Sequence, residues 1–176
     1  MALCRSSKDM ILYSTYHSPA GLLYMAGDGD RLTGLWFAGQ RRPQGAPVHA
    51  VSAFKTPAFQ AAASWLDCYF TGRQPDFTLA ICLNGTDFQR RVWTLLTSVP
   101  FGKAVTYGDM ARRLFDGTER SPFACRAVGQ AVSRNPIALI VPCHRVLGAG
   151  NRLTGYAGGL DKKRILLALE HIPYVE

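Results

Sequence analysis

The chain has 176 residues, of which 48% are hydrophobic and 18% charged, with a formal net charge of +8. That balance suits one ordinary domain or two small ones around a real apolar core, and it excludes a disordered chain. No apolar run approaches the ~18 residues of a membrane helix. Met1–Asp9 carries no signal-peptide segment, so a cytoplasmic location is expected.

Three short strands are expected first, Met10–Thr15, Gly21–Ala26 and Leu32–Phe37. Gly27-Asp28-Gly29-Asp30 supplies the turn between the last two. After a loose Arg-, Pro- and Gly-rich stretch from Gly39 to Pro47, Thr56-Pro57 reads as the cap and first-turn proline of a helix. That helix carries Phe59, Ala63, Leu66 and Phe70 at helical period and stops at Gly72. Phe77–Leu83 reads as a further strand. No motif in this half carries chemistry, so residues 1–84 are expected to form a structural α+β domain, a small antiparallel sheet with a helix.

Asn84-Gly85 marks a boundary, and residues 85–176 form a second, mostly helical domain. Thr86 with Gln89 three residues on is a capping box. It starts a helix with Phe88, Val92, Leu95 and Leu96 on one face, ended by Val99-Pro100-Phe101-Gly102. Thr106-Tyr107-Gly108-Asp109 caps a second helix, which Asp116-Gly117 breaks. A third runs through Arg126–Val132 and stops before Asn135-Pro136. Two short helices joined by a turn fit a helix-turn-helix, and any packed helix pair fits as well.

The basic residues tilt that choice towards nucleic acid. Arg90-Arg91, Arg112-Arg113, Arg120, Arg126, Arg134, Arg145, Arg152 and Lys162-Lys163-Arg164 all lie in the second half. Ala127, Gly129 and Ala131 make the third helix small-faced, which suits close approach in a minor groove better than long-range reading of a major groove. Gly155-Tyr156-Ala157-Gly158-Gly159 permits close backbone approach to a flat ligand, or is a plain flexible turn.

Five cysteines, Cys4, Cys68, Cys82, Cys125 and Cys143, with no Cys-x-x-Cys pair, argue against a disulfide framework or a zinc site; reduced thiols are expected. Cys143 differs in its context. A strand-like apolar run, Ile137–Val141, delivers it in a Pro142-Cys143-His144-Arg145-Val146 turn. Neighbouring cations favour a thiolate. Adjacent residues hydrogen-bond poorly side chain to side chain, so His144 is expected to reach Cys143 through a water. Glu170 is placed to orient the imidazole.

Phe88-Gln89-x-x-Val92-Trp93, Val99-Pro100-x-Gly102, Thr106-Tyr107-Gly108, Arg126-Ala127-Val128-Gly129, Asn135-Pro136, Pro142-Cys143-His144-Arg145-Val146 and Gly155-Tyr156-x-Gly158-Gly159 occur in the order found in O6-alkylguanine-DNA alkyltransferases. The resemblance spans Gly85 to Glu170, and the first half fits the family's N-terminal domain only by pattern. With no zinc-bearing phosphotriester-repair domain, the chain resembles the constitutive bacterial form.

The resemblance implies one-turnover transfer of an alkyl group from O6-alkylguanine in double-stranded DNA to Cys143, without cofactor or metal. It implies His144 as base through water, Glu170 as its orienter, and Tyr107 as proton donor towards guanine N3. The carbonyls of Cys143 and Val146 would accept from the guanine amino group and the Ala157 amide would face O6, beside Gly158. Tyr156 would wall the pocket, Arg126 would fill the stack after the base flips out, and Asn135 would brace the turn. A monomer is expected, with cooperativity on DNA and O4-alkylthymine tolerance left open.

The step from Tyr107 to Arg126 is longer than the family pattern, with the excess in Asp116–Pro122, and Cys125 beside the expected finger is unusual. Two rivals remain: a lesion sensor that binds without transfer, which would lack the acceptor cysteine, and a Cys–His hydrolase, which would need an oxyanion hole.

Overall fold

Leu23, Met25, Leu35 and Phe37 alternate along neighbouring strands and are fully buried, so one face of the first sheet is fixed by its apolar period. The computed structural model describes residues 11–40, 56–115 and 122–176. Strands β1 (Leu12–Ser18), β2 (Gly21–Gly27) and β3 (Leu32–Phe37) form an antiparallel sheet in that order. The register sets Ser14 opposite Met25, Met25 opposite Leu35 and Leu23 opposite Phe37.

Between β2 and β3, Asp28 closes the turn: its Oδ1 accepts from the Arg31 backbone N–H at 2.8 Å and its Oδ2 pairs with the Arg31 guanidinium at 2.7 Å. Helix α1 (Pro57–Phe70) opens on Thr56, whose side chain accepts from the Phe59 N–H, with proline in the first turn. Ala58, Phe59, Ala62, Leu66 and Tyr69 are its buried face, and α1 packs against all three strands. Each large side chain on that face contributes about 1.5–3 kcal/mol by burial.

The second unit begins where Gly85 lies against Trp93; a Cβ there would stand 2.5 Å from the indole. Helix α2 (Asp87–Thr97) carries the full capping box, with Thr86 and Gln89 each satisfying the other's backbone N–H. Two-residue strand β4 (Val105–Thr106) pairs in parallel with β5 (Val146–Leu147). Helix α3 (Tyr107–Leu114) has a second capping box, Thr106 with Asp109. Helix α4 (Pro122–Ser133) packs on both α2 and α3, and the buried Trp93 Nε1 donates to the Ala131 carbonyl at 2.8 Å. A single 3-10 turn, Cys143–Arg145, leads into β5, and α5 (Leu160–Leu169) completes the unit. The backbone thus divides into units Met1–Asn84 and Gly85–Glu176, and the fold is α+β.

Several local expectations change. Phe77–Leu83 is not a strand. It meets β3 only at Leu32, through a single bridge at Ile81 made by Leu32 N–H to Ala80 O (2.9 Å) and Cys82 N–H to Leu32 O (2.8 Å). The buried face of α1 is rotated, taking Ala62 and Tyr69 in place of Ala63 and Phe70, which are half-buried. Helix α4 starts at Pro122, four residues before Arg126, because proline is pre-organised for a first helical turn. The rest of the long Asp116–Pro122 loop lies outside the described residues, as do Met10 and most of Gly39–Pro47. Among the described residues Cys68, Cys125 and Cys143 are free thiols, and Cys4 lies outside the described residues.

The apolar run before Cys143 is also not a strand. Ile137, Ala138, Leu139 and Val141 are buried, but Leu139 has φ 70°, a left-handed conformation that breaks extended structure. Ile140 N–H donates to Ala138 O at 2.8 Å and Cys143 N–H to Val141 O at 2.8 Å, so tight turns replace a strand. The Asn135 side chain stands in for a neighbouring strand, accepting from Ile137 N–H at 3.0 Å and donating to Val141 O at 2.7 Å. Among the described residues, no helix is long and apolar enough to cross a membrane.

Candidate active site

The turns after α4 bring Cys143 to a buried position, 6% exposed, at the wall of a cavity of about 340 Å³. Tyr107, Val132, Ser133, Gly155, Tyr156 and Ala157 line the rest of it. Asn135 Nδ2 donates to the Cys143 sulfur at 3.0 Å as well as to Val141 O. One amide therefore fixes both the shape of the turn and the direction of the thiol.

Burial pushes the Cys143 thiol up. The Asn135 hydrogen bond, the Lys163 charge and backbone N–H groups pull the other way without overcoming it. The resting group is thus a thiol, and a nucleophile requires a base that takes its proton on demand.

His144 follows on the same 3-10 turn and is fully buried. Its Nε2 lies 2.7 Å from Glu170 Oε1. A carboxylate only accepts, so Nε2 carries the proton and Nδ1 is left with the lone pair. Burial pushes the imidazole down against the upward pull of Glu170, so it is neutral near pH 7 and able to accept a proton.

Glu170 sits at the end of α5 and is held from several sides. Burial acts to raise its carboxyl, but hydrogen bonds and charges from His144 and Arg145 outweigh it and bring the carboxyl down to about 2. Arg145 donates through Nε to Oε2 at 2.8 Å and through Nη2 to Oε1 at 3.0 Å. Its third arm reaches Val99 O at 2.6 Å, and its guanidinium carbon lies 5.7 Å from the Phe101 ring centroid. Gly102 N–H completes the cradle at 3.1 Å from Oε2. Gly102 has φ 72°, which glycine adopts without strain. The Val99–Gly102 turn therefore ends α2 and also holds the carboxylate.

Sequence reasoning missed Lys163 and the part played by Arg145. Lys163 is fully buried, with Nζ donating to Val146 O at 2.7 Å and to Thr154 O at 3.0 Å. Burial lowers its ammonium to about 8, opposed by Cys143. Helical spacing signals its position, because Lys163, Leu166 and Leu167 of α5 and Glu170 at its C-terminal cap form one buried stripe.

The expected site residues divide into two groups. Asn135 with Cys143 and His144 with Glu170 form two hydrogen-bonded pairs that meet on the Cys143–Arg145 turn, with Tyr107, Tyr156 and Ala157 on the cavity that Cys143 lines. Burial raises the Tyr107 hydroxyl, with a Thr154 hydrogen bond acting against it, so Tyr107 is a phenol able to donate. Val132 and Ser133 line the cavity unanticipated, and Gly155 of the glycine-rich turn lines it as well.

Val146 O accepts from Lys163, and Cys143 O accepts from the Val146 N–H. On α4, Arg126 is exposed and Ala127 half-buried. Gly129 faces the Tyr107 ring, where a Cβ would stand 3.7 Å from Cε1. Ala131 is buried against α2, so the small residues do not form a single exposed face. Among the described residues no His, Cys, Asp and Glu group could hold a metal ion.

A neutral histidine clamped by an ionised glutamate, beside a directed thiol in an aromatic-walled cavity, is equipped for proton removal and nucleophilic attack on a flat substrate. Comparison with known proteins gives this arrangement a family. Residues 87–172 match the 6-O-methylguanine DNA methyltransferase DNA-binding domain, and residues 11–83 match that family's ribonuclease-like domain. The chain is 44% identical over 161 residues to a methylated-DNA--protein-cysteine methyltransferase of Mycolicibacterium paratuberculosis, covering 92% of this chain and 93% of that one. It is 38% identical to the Haemophilus influenzae protein of the same name, covering 94% and 89%.

Among solved structures, the Mycobacterium tuberculosis O6-methylguanine methyltransferase superposes with a TM-score of 0.77 at 43% identity, covering 92% of this chain and 93% of that one. The Mycobacterium tuberculosis OGT in complex with DNA gives a TM-score of 0.76 at 44% identity, covering 90% and 91%. With both domain models matched in order along the described core, the chain belongs to the 6-O-methylguanine DNA methyltransferase family.

Proposed function

We propose that this protein repairs DNA directly, by irreversible transfer of the alkyl group from O6-alkylguanine in duplex DNA to Cys143. The observation that carries the reading is the Cys143 thiol, aimed by Asn135 at an aromatic-walled cavity and backed by the His144–Glu170 pair. The activity in the relatives' names and the DNA complex of the Mycobacterium tuberculosis protein support it.

In this reading the helix pair α3–α4 acts as a helix-turn-helix against the minor groove, and Arg126 occupies the stack when the damaged base turns out into the cavity. Tyr156 walls the base, the Ala157 amide faces O6, and the carbonyls of Cys143 and Val146 receive the guanine amino group. Residues 1–84 serve as the structural domain and residues 85–176 bind DNA and accept the alkyl group.

His144, through a water, takes the thiol proton, and Glu170 stabilises the imidazolium that results. Sulfur attacks the alkyl carbon in line, the S–C bond forms as the C–O6 bond breaks, and Tyr107 donates a proton towards guanine N3 as the base leaves. The proton taken from sulfur returns to the phenol. Lys163 steadies negative charge on sulfur during attack.

A thioether carbon is a poor electrophile for water, so the chain acts once. It acts as a monomer and needs no cofactor, because the DNA supplies the alkyl group.

Incubation with an oligonucleotide duplex carrying O6-methylguanine, followed by peptide mapping, tests the reading. A methyl on the Cys143 peptide is expected. An unmodified chain that still binds the lesion overturns it in favour of a sensor.

A further inference from the structure

Helix α4 carries an exposed aromatic side chain that the repair reaction as described does not use. Phe123 is 75% exposed, well above the other exposed large hydrophobics, Ile11 at 52%, Val175 at 54%, Ile165 at 44%, Phe77 at 40% and Leu160 at 39%. It lies in the first turn of α4, one turn before Arg126.

Phe123, Arg126, Gln130 and Ser133 are all exposed and recur at spacings of three, four and three residues, which places them on one stripe of the helix. The far end of the stripe reaches the cavity, because Ser133 lines it together with Cys143 and Tyr107. The stripe therefore runs from the cavity mouth, past an exposed guanidinium, to an exposed phenyl ring. No acidic residue occurs in α4, and Arg134 is exposed at its end, so the face is complementary to a polyanion.

We infer that Phe123 is a second DNA contact, an apolar wedge seated in the minor groove of the duplex whose damaged base enters the cavity. The inference rests on the proposed repair function and extends it to a residue that touches neither the thiol nor the base. The chemistry selects the part of DNA that it meets. A phenyl ring gains nothing from phosphates. The floor and walls of a minor groove offer deoxyribose edges and base-step faces, and apolar wedges there help to unstack and bend the duplex.

The rise of a helix places residues three apart about 4.5 Å from each other along its axis. That is close to one base step of about 3.4 Å per nucleotide along a strand. Phe123 thus meets the duplex next to the step where Arg126 acts. The guanidinium replaces the base that has left, while the ring holds open the adjoining step.

The experiment compares the wild-type chain with Phe123→Ala, Phe123→Leu and Arg126→Ala. Each is assayed for transfer from an O6-methylguanine duplex, for transfer from the free base O6-benzylguanine, and for duplex binding across a salt series. Wild-type transfer from the duplex establishes the repair function itself; its absence would sink that reading before any variant is compared.

Given wild-type transfer, Phe123→Ala is expected to lose about tenfold in duplex affinity and duplex rate, with free-base transfer unchanged. Its salt dependence should match wild type, because an apolar contact releases no counterion, whereas Arg126→Ala lowers the slope by about one. Phe123→Leu should retain most of the affinity. Duplex binding by Phe123→Ala equal to wild type overturns the inference. So does an equal loss on duplex and free base, which marks a fold defect rather than a lost DNA contact.

Discussion

The two units bury different kinds of residue. Among the described residues of the first, Ser14 is the only polar side chain in the buried set, within a sheet-and-helix core of Leu, Met, Phe and Trp. The second buries Asn135, His144, Arg145, Lys163 and Glu170. Taking charges out of water costs several kcal/mol per ion, and a buried ion pair is often no more stabilising than an apolar replacement. A unit built only for stability would resemble the first. The second departs from it around Cys143, which locates the function in the place where burial is most costly.

Substitutions that separate stability from chemistry sharpen that contrast. The largest effect is expected from Glu170→Ala, which leaves the Arg145 guanidinium buried without its carboxylate. The cost is about 3–5 kcal/mol, read as a lower urea midpoint, with transfer to Cys143 falling as well. Leu66→Ala removes a fully buried side chain of α1 at about 2–5 kcal/mol. Under conditions where that variant remains folded, its free-base transfer rate should match wild type. A rate loss there as large as that of Glu170→Ala would erase the distinction between the units.

Asn135→Ala is expected to cost about 1–3 kcal/mol, since Val141 O and the Ile137 N–H lose their partner inside the fold. Its rate should fall more than its stability accounts for, because the thiol loses its aim. At the small end, Tyr16 donates to Asp67 on the surface of the first unit at 2.6 Å. Tyr16→Phe should change stability by less than about 0.5 kcal/mol and leave transfer unchanged.

The contrast also has a pH signature. The Glu170 carboxyl is depressed from 4.5 to about 2. Its stabilising contribution is therefore fully present above about pH 4.5 and is lost as pH falls towards 2. Burial depresses His144 as well, so acid favours the unfolded, protonated imidazole, and both groups act in the same direction. Urea midpoints should fall from pH 6 to pH 3 in the wild-type chain and fall less in Glu170→Gln. Parallel curves would show that Glu170 is not the carboxylate responsible.

Local signals were the most legible in the sequence. The capping boxes Thr86/Gln89 and Thr106/Asp109, the proline start of α1 and the three sheet strands depend on neighbours a few residues apart, and the structure places them as expected within a few residues. Cys143, His144 and Glu170 were legible as chemistry; Cys143 and His144 share one turn, and the His144 ring meets Glu170.

Properties set by distant contacts were not. The apolar run 137–141 has strand composition, yet the Asn135 side chain supplies the partner that a strand would otherwise need. Ala131 belongs to a small-residue pattern, but Trp93 on α2 claims its side of the helix. Lys163 sits in a charged run that looks solvated until the 163/166/167/170 spacing is counted. Arg145 looked like a cation serving the thiol, but its partner is the carboxylate of Glu170.

The most direct measurement is a count. The protein is mixed with excess O6-methylguanine duplex, and the methyl groups transferred per chain are followed by intact mass and located by peptide mapping. The account expects a plateau at one methyl per chain, on Cys143. Continued release of repaired duplex beyond one per chain, or a methyl found on Cys68 or Cys125 instead, would contradict it.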